Sequence, residues 1–233
     1  MNTNKLLSIE IQTTGLDFEK DNIIQICAVK REEKLSANLL DINLFGMVPN
    51  IEEYQTNEWY LLASVKINED AKNINKLNDN VIRYFGKNSV DSLINFQKYL
   101  TENIKNNFIL VAYNAIFDLG YINYSLSKLT KYDLRGIKQN ILDVYLLDKI
   151  LDSISQKSTF NNVKNKYKVN SVNSSDGMYK AFDCITVLLR MTKKFPTFFK
   201  YSIQKLFDLQ LSMYYEISKK RVYNLYRPIW PGF

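Results

Sequence analysis

Histidine is absent from this 233-residue chain, which excludes histidine general bases, Ser-His-Asp triads and imidazole metal sites. The two cysteines, Cys27 and Cys184, sit in apolar contexts without metal-ligand spacing and read as buried thiols in a reducing compartment. Carboxylates remain as the groups able to hold hard cations such as Mg²⁺, which bind anionic oxygen far better than amides. A second grouping with chemical content is basic and aromatic. Residues 190–233 carry nine cations (Arg190, Lys193, Lys194, Lys200, Lys205, Lys219, Lys220, Arg221, Arg227) against only Asp208 and Glu216. The whole +7 charge excess therefore lies in this stretch, and residues 1–189 are neutral. Eleven aromatics, from Phe195 to Phe233, are interleaved with those cations. Such a stretch suits base stacking and phosphate contact with single-stranded nucleic acid. The apolar spacing at Ile203, Leu206, Phe207, Leu209, Leu211 and Tyr214 favours two helices, about 197–212 and 213–225, whose aromatics pack on the main body while their lysines stay solvated. The final Arg-Pro-Ile-Trp-Pro-Gly-Phe cannot be helical and has the character of a docking peptide.

The elements that must position any carboxylate site can be read from apolar spacing. Residues 5–11 form a short buried strand, 13–16 a turn and 22–30 a second strand, with a third expected over 37–48. This is an antiparallel meander. Residues 50–88 read as short helices and loops. Residues 89–104 have the spacing of an amphipathic helix with Ser89 as its cap. FILVAYN (108–114) is apolar throughout, as expected of a strand buried on both faces, and leads into a helix over 116–129. Residues 140–154 read as a strand running into a helix, 155–175 as a mobile loop with a small helix, and 178–193 as a helix. The composition change near Arg190 divides the chain into a domain over 1–192 and an extension over 193–233. The expected architecture is α/β, a mixed five-stranded sheet flanked by helices with a C-terminal helical extension.

Five segments resemble the motifs of the DnaQ-like exonucleases of the DEDD superfamily, the proofreading domains of bacterial replicative polymerases such as polymerase III. LLSIEIQTTGLDFEKDNIIQICAVK is similar to the first motif, an apolar strand followed by Asp-x-Glu-Thr-Thr-Gly-Leu. INKLND (74–79) sits where members read Ile-His-Gly-Ile-Thr-Asp. FILVAYNAIFDLGYINYSL (108–126) resembles the second motif and ILDVYLLDKIL (141–151) the Ile-Asp-Thr-Leu segment. GMYKAFDCITVLL (177–189) matches the last motif. Order and spacing agree over residues 5–192, and the resemblance implies an RNase H-like exonuclease fold.

It also implies a site. Members hold two divalent ions between four acidic side chains, lowering the pKa of a water and clamping the phosphodiester oxygens. The first acidic position is Glu10, a methylene longer than the family's Asp, and the second is Gln12, which keeps the shape and loses the charge. Asp118 and Asp183 keep their carboxylates, so the implied metal ligands are Glu10, Asp118 and Asp183. The family's general base, five residues before the last Asp, is Met178. A sister branch uses a tyrosine four residues before that Asp, and Tyr179 has this spacing. Thr13, Thr14, Asn114 and Phe117 match substrate-binding positions, and Asp143 reads as a strand-end or capping residue.

The expected function is that of a 3′–5′ exonuclease-family protein with weak or lost catalysis, serving as a nucleic-acid-binding or scaffold subunit. The alternative is an active two-metal exonuclease using Mg²⁺ or Mn²⁺, with Tyr179 in place of the histidine. The partners implied are single-stranded DNA or RNA and a polymerase or another replication or transcription subunit. No apolar run approaches the roughly 20 residues of a membrane span, and MNTNK has no apolar signal core, so the location expected is cytoplasmic.

Overall fold

The computed structural model describes residues 5–32, 54–134, 140–152, 159–170 and 175–220. Its centre is strand β1 (Lys5–Thr13), paired antiparallel with β2 (Ile23–Glu32) and parallel with β4 (Ile109–Ala112). β3 (Tyr54–Tyr60) lies antiparallel to β2, and β5 (Ile141–Asp143) lies parallel to β4. The sheet order is β3-β2-β1-β4-β5. This is the mixed five-stranded sheet expected, with β1, β2, β4 and β5 at the expected positions and the third strand of the meander at another.

Alternation along β1 sorts its side chains between two layers. Leu7, Ile9 and Ile11 enter one core, where Leu93, Phe96 and Leu100 of α3 (Ser89–Lys105) meet Leu119, Ile122 and Leu126 of α4 (Ala115–Leu129). Leu6 enters the other core with Val29, Val111 and Leu142. There it meets α5 (Val144–Leu151), α6 (Phe160–Lys166) and α7 (Gly177–Lys194). Each such aliphatic side chain, fully buried, is worth about 1.5–3 kcal/mol. Glu10 and Gln12 share the parity of Leu6, so the same alternation that builds the cores turns both toward α7.

Three expectations need amendment. The third strand expected over 37–48 lies outside the described residues. The observed third strand, 54–60, falls in a segment read as helices and loops, because YQTNEWY is a polar edge strand with little burial. Its anchor is Trp59, edge-on to Phe96 with ring centroids 5.2 Å apart. Within the same segment α1 (Glu69–Asn75) and α2 (Asp79–Phe85) are the expected short helices. The cap of α3 is Asn88, which accepts from the Val90 and Asp91 N–H groups, while Ser89 donates to Leu62 O. Finally, α8 (Ile203–Lys220) is one helix without a break at 212–213, since no Gly or Pro interrupts it.

Helix α8 docks on the sheet edge. Leu206, Phe207 and Gln210 are buried, and Gln210 is hydrogen-bonded to both ends of β5. Among the tail's described aromatics, Phe199 and Phe207 are buried, whereas Tyr201 and Tyr215 are exposed. Lys193, Lys194, Lys200, Lys205 and Lys219 all face solvent. No helix among the described residues is long and apolar enough to cross a membrane.

Candidate functional site

The carboxyl ends of β1, β4 and β5 converge, which is where open α/β sheets bind ligands. The β1–β4 register ends at Ser8↔Val111. Beyond it the Ile11 N–H donates to Asp118 Oδ1 at 2.9 Å. One carboxylate of the expected set therefore also closes the backbone of the central strand.

Helix α4 brings Asp118 there. Its first residue follows Asn114, whose φ of 61° and ψ of 52° place it in the left-handed region that Asn tolerates better than most residues. The turn is held by Asp143, which accepts from Asn114 N at 3.0 Å and Ala115 N at 2.8 Å. Asp143 also caps α5 through Tyr145 N and Leu146 N. A carboxylate saturated by four backbone donors is a capping residue, as expected for this position. Phe117 packs against Phe18 and Tyr121, with centroids 6.5 and 5.1 Å away.

The Thr13–Leu16 turn is internally bonded. Thr13 Oγ1 donates to Gly15 O, which also receives the Tyr121 hydroxyl at 2.9 Å. Thr14 Oγ1 donates to Asp21 Oδ1 and accepts from Asn22 N, each at 2.9 Å. Asn75, from the INKLND segment, donates to Thr13 O at 3.0 Å. Both threonine hydroxyls thus serve the turn, and two of the five motif segments are stitched together.

The acidic residues divide into two groups. Glu10 and Asp118 share a neighbour, Lys180 of α7, whose Nζ lies 3.3 Å from Glu10 Oε1. Burial pushes the Glu10 carboxyl up, opposed by the Lys180 ammonium. Asp118 is pushed well above the ordinary carboxylate range, by burial first and by the Glu10 charge second. Asp183 is elsewhere engaged, with Lys164 Nζ of α6 at 2.9 Å from its Oδ2 and both side chains buried. Gln12 is 2 % exposed, and its Nε2 has no hydrogen-bond partner. Half-buried Tyr179 lies one turn before Asp183, and Met178 packs into the apolar core beside α7. Cys27 and Cys184 are buried, unbridged thiols pushed up chiefly by burial.

Lys164 and Lys180 carry no role in the sequence reading. Lys180 had a signal: it precedes Asp183 by three residues and shares its helix face. Lys164 had almost none, lying in a polar stretch whose folding depends on Val163, Tyr167 and Val169 entering the core.

A two-metal exonuclease site would ask this donor set to hold a pair of divalent ions. Such ions need several anionic oxygens converging with room to ligate. Here two of three carboxylates are bonded to ammonium groups, and the fourth position offers an amide. Among the described residues, no group of three or more Asp, Glu or Cys side chains is placed to hold a metal ion. The residues as arranged do not fit a two-metal site.

No family model and no curated protein matches the chain. Solved structures do. Exonuclease I of E. coli, in a zinc-bound complex with single-stranded DNA, is similar with a TM-score of 0.62 and 15% identity, over 86% of this chain and 43% of its own. Cell-death related nuclease 4 (CRN-4) gives 0.59 and 14%, over 82% of this chain and 64% of its own. Exonuclease I from Methylocaldum szegediense gives 0.56 and 14%, over 88% and 42%. The chain spans less than half the length of these exonuclease I structures. At such identities the likeness establishes architecture and leaves chemistry to the residues. The chain has the RNase H-like exonuclease fold, a mixed five-stranded sheet flanked by helices.

Proposed function

We propose that this protein is a DEDD-type, DnaQ-like exonuclease relative that binds single-stranded DNA or RNA and has lost or nearly lost phosphodiester hydrolysis. The observation that carries the reading is the pairing of Glu10 with Lys180 and of Asp183 with Lys164, on a fold otherwise intact around the site. Losing a metal-binding charge at Gln12 and the base at Met178 would each cost on the order of several kcal/mol in the transition state. The surviving Thr-Thr-Gly-Leu turn and Asn114–Asp118 segment are explained by the bonds they make with backbone groups. Exposed Tyr201 and Tyr215, with Lys193, Lys194, Lys200, Lys205 and Lys219, supply stacking and phosphate contacts for a strand. Such a subunit would serve a polymerase or another replication or transcription assembly.

The test compares the protein with Asp118→Ala for degradation of single strands in Mg²⁺ and Mn²⁺, alongside salt-dependent strand binding. Binding that weakens with salt, without degradation by either protein, is the expected result. Degradation abolished by Asp118→Ala would instead establish an active exonuclease with Tyr179 near the water. Absence of strand binding at any salt would point to a purely protein-binding role.

A further inference from the structure

The lysine pairs differ from ordinary surface ion pairs in where they sit. Lys164 is 5 % exposed, and Lys is almost never this buried unless paired. Its partner Asp183 is 4 % exposed. Lys180 and Glu10 are largely enclosed, with side-chain exposures of 17% and 19%. The two lysines come from different helices, α6 and α7, and reach carboxylates carried by β1 and α7 at the end of the sheet where ligands bind. A buried ion pair adds little stability over an apolar pair of similar volume, so burial by itself does not explain keeping two of them. What the ammonium groups supply is positive charge beside carboxylates, held without a diffusible ion.

We propose that Lys164 and Lys180 act as tethered cations in place of divalent metal, satisfying Asp183 and Glu10 internally and excluding Mg²⁺ and Mn²⁺ from the site. The proposal rests on reading this region as a converted exonuclease site. Gln12 fits it, because its unpartnered N–H is a donor where a metal would need an anion. A cation approaching Glu10 and Asp118 would meet the Lys180 charge and would have to displace it, and one approaching Asp183 would have to displace Lys164.

The experiment is a Mn²⁺ titration of the full chain, followed by calorimetry and by the electron paramagnetic resonance signal of free Mn²⁺. The parent protein is expected to take up no Mn²⁺, with the same thermal midpoint in Mn²⁺ and in EDTA. Lys164→Met combined with Lys180→Met is expected to take up Mn²⁺, at least about tenfold more tightly than the weakest binding the titration detects, since a repelling charge is gone from a low-dielectric site. Adding Asp118→Asn should abolish that uptake. If the double variant does not fold, Lys180→Gln alone tests the more accessible Glu10–Asp118 half by the same readouts. Stoichiometric Mn²⁺ uptake by the parent overturns the proposal. So does a folded lysine variant that still takes up none, because the lysines would then not be what excludes the ion. Strand binding measured in EDTA keeps the two readings apart. Its absence sinks the nucleic-acid function and leaves the Mn²⁺ result standing, whereas Mn²⁺ uptake by the parent sinks the tethered cations whatever the strand result.

Discussion

Asp143 donates its backbone N–H to Gln210 Oε1 at 2.6 Å, and Gln210 Nε2 returns a bond to Ile141 O at 3.2 Å. One side-chain amide thus pairs with edge strand β5 as a neighbouring strand would. It covers an edge otherwise open to foreign pairing and pins α8 beside the strand that carries the Asp143 cap.

Replacing that amide tests the docking. Gln210→Leu keeps the volume and leaves the Asp143 N–H and the Ile141 carbonyl buried without partners. The expected loss is about 1–3 kcal/mol of unfolding free energy, read from urea denaturation. A change within a few tenths of a kcal/mol would mean that α8 is held by its apolar contacts alone.

Breaking the buried pair between α6 and α7 should cost more. Lys164→Met strands the Asp183 charge in the core, with an expected loss of about 3–5 kcal/mol. Adding Asp183→Leu should recover most of that loss, because the pair is then replaced by apolar groups. The double-mutant cycle in urea measures the coupling, and additivity of the two single changes would refute direct pairing.

The buried carboxyls set the sign of the acid-side stability profile. Burial pushes Asp143 up to about 6 from 3.8, against its four backbone donors. Glu10 and Asp118 are displaced in the same direction. A group whose folded pKa is raised stabilises the fold fully below its unfolded pKa and loses that contribution as pH rises through the folded value. Unfolding free energy is therefore expected to fall between pH of about 4 and about 6, by roughly 2–3 kcal/mol from Asp143. Urea titrations across that window check it, and Asp143→Asn should flatten the Asp143 part of the slope.

The tight turn after β1 leaves no room at Gly15. A Cβ there would collide with Asp21 Oδ2 and Asn68 Nδ2, and Asp21 is the group that holds Thr14 Oγ1 and Asp17 N. Gly15→Ala is expected to destabilise by about 1–3 kcal/mol, measured by thermal or chemical denaturation. A neutral result would show that Asp21 can move without releasing the turn.

Acidic residues added at β1 alone should not confer hydrolysis on the protein. Glu10→Asp with Gln12→Glu supplies the Asp-x-Glu pattern of the exonucleases that the sequence resembles, yet Lys180 and Lys164 still hold Glu10's position and Asp183. Single-strand degradation in Mn²⁺ is expected to stay at background in that variant. Activity on those two changes alone would show that the lysines yield readily to a metal.

Much of this protein was legible in its residues. Apolar alternation in KLLSIEI, the nearly continuous apolar runs of NIIQICAVK and of the segment before Asn114, and the helical spacing after it mark three of the strands and the helices around them. Those patterns report burial, which a single sequence records directly. The polar edge strand 54–60 escaped because its pairing is satisfied by backbone, and its side chains mostly meet water. The sequence by itself also determined the chemical inventory at the site: Glu10, Gln12, Asp118, Asp183, no histidine and no clustered cysteine. Only the tertiary structure decided what those groups do for one another. It set Asp118 on the Ile11 N–H, Asp143 across two helix starts, and Lys180 and Lys164 on Glu10 and Asp183. Ion pairing between residues nineteen apart on α6 and α7 depends on how two helices cross over a sheet, and no periodicity in a sequence encodes that.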